Sequence, residues 1–284
     1  MRWLIYGIIG SLLYGFLGIF NKLNTADPVF ANLIIQSVFF FFAVFFIRKN
    51  FRWSFDSFLS GAFGAAGTGI IIAALKSNQL IVVYPFAALS VIVFLALNVL
   101  VYHVRYAGKR LLLLLIGLII SCIGLFFASV GGSGGIQQFS HINTLFLAQG
   151  IAVLICWGLF AFFLARARVV KKQDANSVLF CNGAGAFLIA SLVFFYHPFT
   201  GDYYYPLLGG ICGFIGTYFV VKAFGQTEQL SSIKNIVLTI LSTGDIIPVT
   251  FLALVILKEF SVEGIIGSLF AIIGIVVLSL ADNV

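Results

Sequence analysis

Along the chain, polar positions come in short clusters that separate long apolar runs. About 20 apolar residues in helical form cross a bilayer. Reading charges, Pro, Asn and Gly as punctuation between runs of that length predicts ten helical segments. They lie near 3–21, 29–47, 55–75, 80–102, 111–129, 144–165, 177–196, 205–224, 230–257 and 262–281. The longest weakly apolar stretch, "GGSGGIQQFSH" at 131–141, reads as a loop. The run from Trp3 to Phe20 follows Arg2 but lacks a small-residue cleavage site and is followed by further spans. It therefore reads as a span and not as a secretory leader.

Within these segments some polar residues keep helical spacing. In segment 9, Ser232, Asn235, Thr239, Ser242 and Asp245 are spaced 3, 4, 3 and 3 apart, which places them on one helix face. Segment 1 offers Ser11, Tyr14, Gly18 and Asn21 in the same manner, and segment 2 offers Asn32 and Gln36 at i, i+4. A charged group at mid-membrane costs about 2.5–3.5 kcal/mol on insertion scales, so such residues face protein or water. Tyr14 and Trp157 lie well inside their spans, where an interfacial aromatic belt explains them less well than a cavity wall does. Tyr84 opens segment 4 and Tyr218 sits in segment 8.

Self-similarity at long period comes next. "GAFGAAGT" (61–68) and "GICGFIGT" (210–217) both read GxxGxxGT, at an offset of 149. "GIIGSLLYGFLGIF" (7–20) aligns with "GIAVLICWGLFAFF" (150–163), and Tyr14-Gly15 falls on Trp157-Gly158. "GLIISCIGLFFAS" (117–129) aligns with "GSLFAIIGIVVLS" (267–279). The order of these matches predicts two five-helix units, residues 1–130 and 144–284, joined by a loop at 131–143. Five is odd, so the second unit enters the membrane upside down, as in many secondary transporters. The fold class predicted is thus an all-α polytopic membrane protein of ten transmembrane helices in two inverted repeats. The glycine rows allow close helix approach. The segment 4 face that matches the segment 9 stripe is apolar, which suits a ligand or ion site in one half only.

Composition agrees with the pattern. The 284 residues are 62% hydrophobic and 9% charged, with mean hydropathy +1.15, against roughly 25% charged in a soluble domain. The net charge of +7 is explained by its placement. Arg2, Arg48, Lys49, Arg52, Arg105, Lys109, Arg110, Arg166, Arg168, Lys171 and Lys172 fall on one side of a ten-span arrangement, and Lys22, Lys76 and Lys258 on the other. By the positive-inside rule both termini are expected in the cytoplasm. The chain is placed in a prokaryotic inner (plasma) membrane, with the lipid bilayer as a partner, and the basic residues orient it and need no nucleic acid. The four cysteines form no CxxC pair, so no metal or cofactor is expected.

Four stretches resemble a known family. They are the Tyr-Gly and Trp-Gly of "LLYGFLGIF" and "LICWGLFAFF", the junction "ALKSNQLIVVYPFAALSVIV" with its Pro, and "LKEFSVEGIIGSLFAIIGIVVLS" with its Glu. Together with the repeat, they make the chain similar to the drug/metabolite transporter superfamily, in particular its EamA-like ten-helix members, over essentially its whole length. The resemblance implies a central cavity walled by segments 1–4 and 6–9, with segments 5 and 10 peripheral. It also implies ATP-independent, alternating-access transport of a small organic solute. The chain departs from the family in lacking an evident Glu in "LVYHVRYAGKR".

The functional expectation is a secondary transporter, monomeric or homodimeric, for a small polar metabolite. An amino acid, amine or quaternary ammonium compound is placed ahead of a sugar or nucleoside. The candidate substrate residues are Asp245, Ser242, Thr239, Asn235, Tyr14, Trp157, Tyr84, Tyr218, Gln36 and Asn32. Asp245 is the candidate for proton coupling, because burial raises a carboxyl pKa. A cationic substrate group or a structural partner on a neighbouring helix are the alternatives for it. An enzyme is not expected, since His103, His141 and His197 are scattered and no acid–base pair shares a face. A channel-like or non-transporting subunit is the remaining alternative.

Overall fold

The computed structural model describes residues 2–47, 51–76, 83–84, 86–87, 89–103, 107–132, 144–195, 201–227, 232–243, 246–258 and 262–280. Among the described residues all regular structure is helical. The helices are α1 (Arg2–Leu23), α2 (Pro28–Val44), α3 (Phe55–Leu75), α4 (Ser90–Tyr102), α5 (Gly108–Gly132) and α6 (Thr144–Ala165), the last continued by a π turn over Arg166–Val170. Then come α7 (Ala175–Phe194), α8 (Tyr204–Phe224), α9 (Ile233–Thr243), α10 (Ile246–Leu252) with a π turn over Ala253–Leu257, and α11 (Val262–Leu280).

Segment 9, expected as one helix over 230–257, is helical at 233–243 and 246–257, and residues 228–231, 244 and 245 lie outside the described residues. Pro248 in α10 lacks the N–H that would continue the backbone ladder to the carbonyl four residues earlier. Segment 4, expected from residue 80, is helical at residues 83, 84, 86 and 87 and runs on as α4 from Ser90; residues 77–82, 85 and 88 lie outside the described residues.

α1 shows why these helices pack as they do. Ile5, Ile8, Leu12 and Phe16 are exposed on one face, while Gly7, Gly10, Ser11, Tyr14 and Gly18 are buried on the other. The large apolar side chains point outward and the small and polar ones inward, the reverse of a water-soluble helix. Comparable exposed rows of Leu, Ile and Phe occur on α5, α7 and α11, far beyond the apolar patches a soluble monomer leaves uncovered. Five helices, spanning Arg2–Leu23, Phe55–Leu75, Thr144–Val170, Ala175–Phe194 and Tyr204–Phe224, are long and apolar enough to cross a membrane. α2 and α4 are shorter apolar helices. The chain is a helical protein whose surface fits a membrane.

Helix packing is reciprocal. α1 lies along α8 and α3 along α6; α3 also lies along α7, and α2 along α8. α2 crosses α7, and α5 and α11 pack chiefly on each other. Backbone-to-backbone approach sets the α3–α7 seam. A Cβ added to Gly61 would overlap the Asn182 carbonyl, and one on Gly185 would overlap that of Phe58. Only glycine permits this distance. α2 and α7 begin alike: Asp27 accepts from the N–H groups of Val29 and Phe30, and Asp174 from those of Asn176 and Ser177. An aspartate at this position satisfies donors that have no partner within the helix. α4 and the π turn after α10 each stop at a left-handed residue, His103 (φ 51°) and Lys258 (φ 54°).

Candidate functional site

Six helices, α1 to α3 and α6 to α8, surround a small cavity, partly open to the outside, at the middle of their length. α1 contributes Tyr14 and Leu17, and α2 contributes Ile35, Gln36 and Phe39. α3 contributes Gly61, Gly64, Ala65 and Thr68; α6 contributes Trp157 and Phe160. Asn182 and Ala186 come from α7, and Gly213 and Thr217 from α8. The glycines leave room for the space and for the rings beside it. A Cβ on Gly67 would fall 2.6 Å from the Trp157 indole nitrogen, so this glycine seats the edge of that ring.

The aromatic part of the wall is a linked series. Tyr14 and Trp157 meet edge to face with centroids 6.2 Å apart, and Trp157 meets Phe160 at 5.4 Å. Such geometry adds attraction beyond area burial. Tyr14 is fixed from its other end. The Thr217 hydroxyl donates to the Gly213 carbonyl at 2.8 Å, so its one proton is in use, and the Tyr14 hydroxyl donates to Thr217 at 2.6 Å.

The polar part is two amide chains. Gln36 Nε2 donates to Asn32 Oδ1 at 3.1 Å, and Asn32 Nδ2 donates to the Ala65 carbonyl at 3.0 Å. Asn182 Nδ2 donates to Ser60 Oγ at 3.1 Å, and Ser60 donates to the Phe160 carbonyl at 2.9 Å. The Thr68 hydroxyl bonds the Gly64 carbonyl of its own helix. The described lining carries no Asp, Glu, Lys or Arg.

The expected site residues separate into groups. Tyr14, Trp157 and Gln36 line the cavity, and Asn32 stands behind Gln36 as its bonded support. Tyr84 is buried with its ring edge against Gly18 of α1, and Tyr218 lies under the Lys222 ammonium (5.5 Å) beside Phe46. Neither belongs to this lining. Asn235, Thr239 and Ser242 are fully buried but also outside it. Thr239 donates to the Asn235 carbonyl at 2.8 Å and Ser242 to the Thr239 carbonyl at 3.1 Å, so their hydroxyls close on their own helix. Asp245 lies outside the described residues. The lining also includes Thr68, Thr217, Asn182, Phe39 and Phe160, which sequence reading did not single out. Thr68 and Thr217 end the two GxxGxxGT motifs, so the repeat itself was their signal.

A charged feature sits apart from the cavity, at the end of α3 where Arg166, Arg168 and Lys171 gather. Asp56, in the first turn of α3, is buried and forms ion pairs with Lys171 (2.9 Å) and Arg166 (3.5 Å) from the end of α6. At the same end Arg168 donates to the carbonyls of Val221 (3.1 Å) and Gln173. The Asp174 carboxyl nearby is pulled two ways. Burial raises its pKa, but hydrogen bonds from Ser177 and Asn176 and the Arg168 charge outweigh burial and hold it below the usual carboxylate range. At the opposite end Lys22 donates to the Leu75 carbonyl (3.0 Å) and Lys76 to that of Asn24 (2.9 Å). Burial lowers the Lys76 pKa, partly offset by Asp27. Among the described residues no group of three or more His, Cys, Asp or Glu converges as a metal site would require.

No protein-family model matches the chain, and no curated protein matches it. Solved structures do: twenty-six chains match. A crystal structure of one protein superposes over 98% of this chain and 96% of its own length, with a TM-score of 0.68 and 16% identity. At that identity the likeness shows the fold alone.

Proposed function

We propose that the chain is a secondary transporter that moves a small polar organic solute by alternating access, through ten spans arranged as two inverted five-helix repeats. The observation that carries this reading is the make-up of the cavity. Tyr14 and Trp157, Gly64 and Gly213, and Thr68 and Thr217 are the pairs that the sequence repeat aligns, and both members of each pair line it. A site placed between inverted halves can face either side by tilting one half against the other. The reciprocal packing supports the same reading: α1 on α8 answers α3 on α6, and α3 on α7 answers α8 on α2. The matched aspartate caps of α2 and α7 agree with it. Membership of the drug/metabolite transporter superfamily is part of the proposal, as is proton coupling through Asp245.

The test is flux in liposomes containing the purified chain, after a stabilisation screen across amines, amino acids, sugars and nucleosides has identified a solute. Uptake that saturates and concentrates the solute under a proton gradient is expected. Flux rising in proportion to concentration would replace the transporter with a channel. Asp245→Asn is expected to abolish the dependence on the proton gradient; unchanged pH dependence and affinity would remove Asp245 from both substrate and proton roles.

A further inference from the structure

The hydrogen-bond polarity of the cavity wall specifies the kind of solute it takes. Two amides line it, one on α2 and one on α7, and each is more than nine-tenths buried: Gln36 is 6% exposed and Asn182 is 3% exposed. An amide can ordinarily be turned over, exchanging its oxygen and nitrogen. Here neither can, because each chain of bonds ends on a backbone carbonyl, which only accepts.

The Ala65 carbonyl requires Asn32 to approach it with Nδ2. Asn32 Oδ1 is thereby left to accept, so Gln36 must present Nε2 to it. The Phe160 carbonyl takes the only proton of Ser60, so Ser60 Oγ can only accept from Asn182 Nδ2. In both cases the nitrogen is committed to the protein and the carbonyl oxygen is left over. Among the described residues Gln36 Oε1 and Asn182 Oδ1 receive no hydrogen bond from the protein. Nor is either sealed from the cavity as a buried atom without a partner. A carbonyl oxygen left open to the cavity is satisfied by water until a solute that brings an N–H or O–H donor takes that water's place, and a solute without one loses the hydrogen bond.

We propose that this cavity is an acceptor wall. It selects a solute with N–H or O–H donors, a protonated primary amine first, and discriminates against quaternary ammonium compounds and anions. The Tyr14, Trp157 and Phe160 rings attract cations of either kind, so rings alone would hold a quaternary ammonium at least as well. The two amide oxygens break that tie, since only N–H groups can meet them. At both amides a carboxylate finds lone pairs opposed to lone pairs, the described lining holds no cation, and the unpartnered Trp157 Nε1–H is buried within the wall. The inference rests on the cavity being the solute site of the proposed transporter.

The experiment is binding to the full chain in detergent, by calorimetry and thermal unfolding. The probes are butylammonium, butyltrimethylammonium, butanamide and butyrate at matched ionic strength. Butylammonium is expected to bind at least about tenfold more tightly than butyltrimethylammonium, the equivalent of ~1.4 kcal/mol, with butanamide ahead of butyrate. Gln36→Met and Asn182→Leu are each expected to weaken butylammonium by a similar factor and leave the quaternary compound unchanged. The proposal is overturned if the quaternary compound or butyrate binds as well as butylammonium, if none of the four binds, or if both variants fold and keep the discrimination. Should a variant unfold, the ranking on the unaltered chain decides alone. Binding in donor order without saturable liposome flux supports the acceptor wall while removing the transporter reading. Saturable flux of a solute that butylammonium does not compete against does the opposite.

Discussion

The cavity wall and the polar stripe of α9 are built from the same residue types, yet only one of them is an open site. Both hold buried amides and hydroxyls among apolar side chains. On α9 the Thr239 and Ser242 hydroxyls turn back to carbonyls one turn earlier, and their donors are consumed within the helix. In the wall, Gln36 and Asn182 spend their nitrogens on neighbouring helices and leave their oxygens over. A polar side chain inside a membrane helix has bonding capacity left for a ligand only when its hydrogen bonding is incomplete and it faces a cavity, and it is an internal brace when its bonding is complete.

The largest effect should come from breaking the seam that holds the wall. Gly61→Ala puts a methyl group into the Asn182 carbonyl, and backbone cannot swing aside as a side chain can. A loss of about 3 kcal/mol is expected, read as a large drop in the unfolding midpoint and loss of monodisperse elution. Native-like stability in this variant would mean that α3 and α7 are not in backbone contact.

The next prediction sets the two regions against each other. Thr239→Val should lower stability by about 1 kcal/mol, the net worth of one hydrogen bond, and alter butylammonium affinity less than twofold. Gln36→Met should do the reverse, with a small change in unfolding midpoint and a large change in affinity. A Thr239→Val variant that loses affinity would return α9 to the binding site.

The smallest effect is expected at Asp174, another group whose bonding is complete. It caps α7, the helix that carries Asn182, and is far more exposed. Asp174→Ala should cost about 1 kcal/mol without changing solute preference. The sign with pH follows from its depressed pKa. The folded state holds the carboxylate more readily than the unfolded chain does, so its contribution is present above the unfolded pKa. It fades as pH falls through the folded value. Unfolding midpoints measured from neutral to acid pH should therefore converge for the variant and the parent. A gap that widens toward acid would contradict the cap.

Much of this was legible in the sequence because a bilayer makes few demands and enforces them. Segments at 55–75 and 144–165 coincide with α3 and α6, since apolar length alone fixes a span. Tyr14, Trp157 and Gln36 stood out as residues too large or too polar for mid-helix packing. Thr68 and Thr217 did not, because the glycines around them already explained the motif as packing. Asp56 was passed over for a different reason. Its partners, Arg166 and Lys171, are more than a hundred residues away along the chain, and no local pattern links them. Spacing puts the α9 stripe on one face, but it cannot say whether a hydroxyl looks outward or back along its own helix.

The Gly61–Asn182 contact has one more consequence. Asn182 is held twice, by its main chain against α3 and by its side chain to Ser60. Its rotamer is frozen before any solute arrives. Ordering a side chain at the moment of binding typically costs about 0.5–1.5 kcal/mol, and here folding has already met that entropy. On the proposed reading, a solute arriving at this oxygen would give up only its own freedom, so even a small molecule with few contacts could be recognised there.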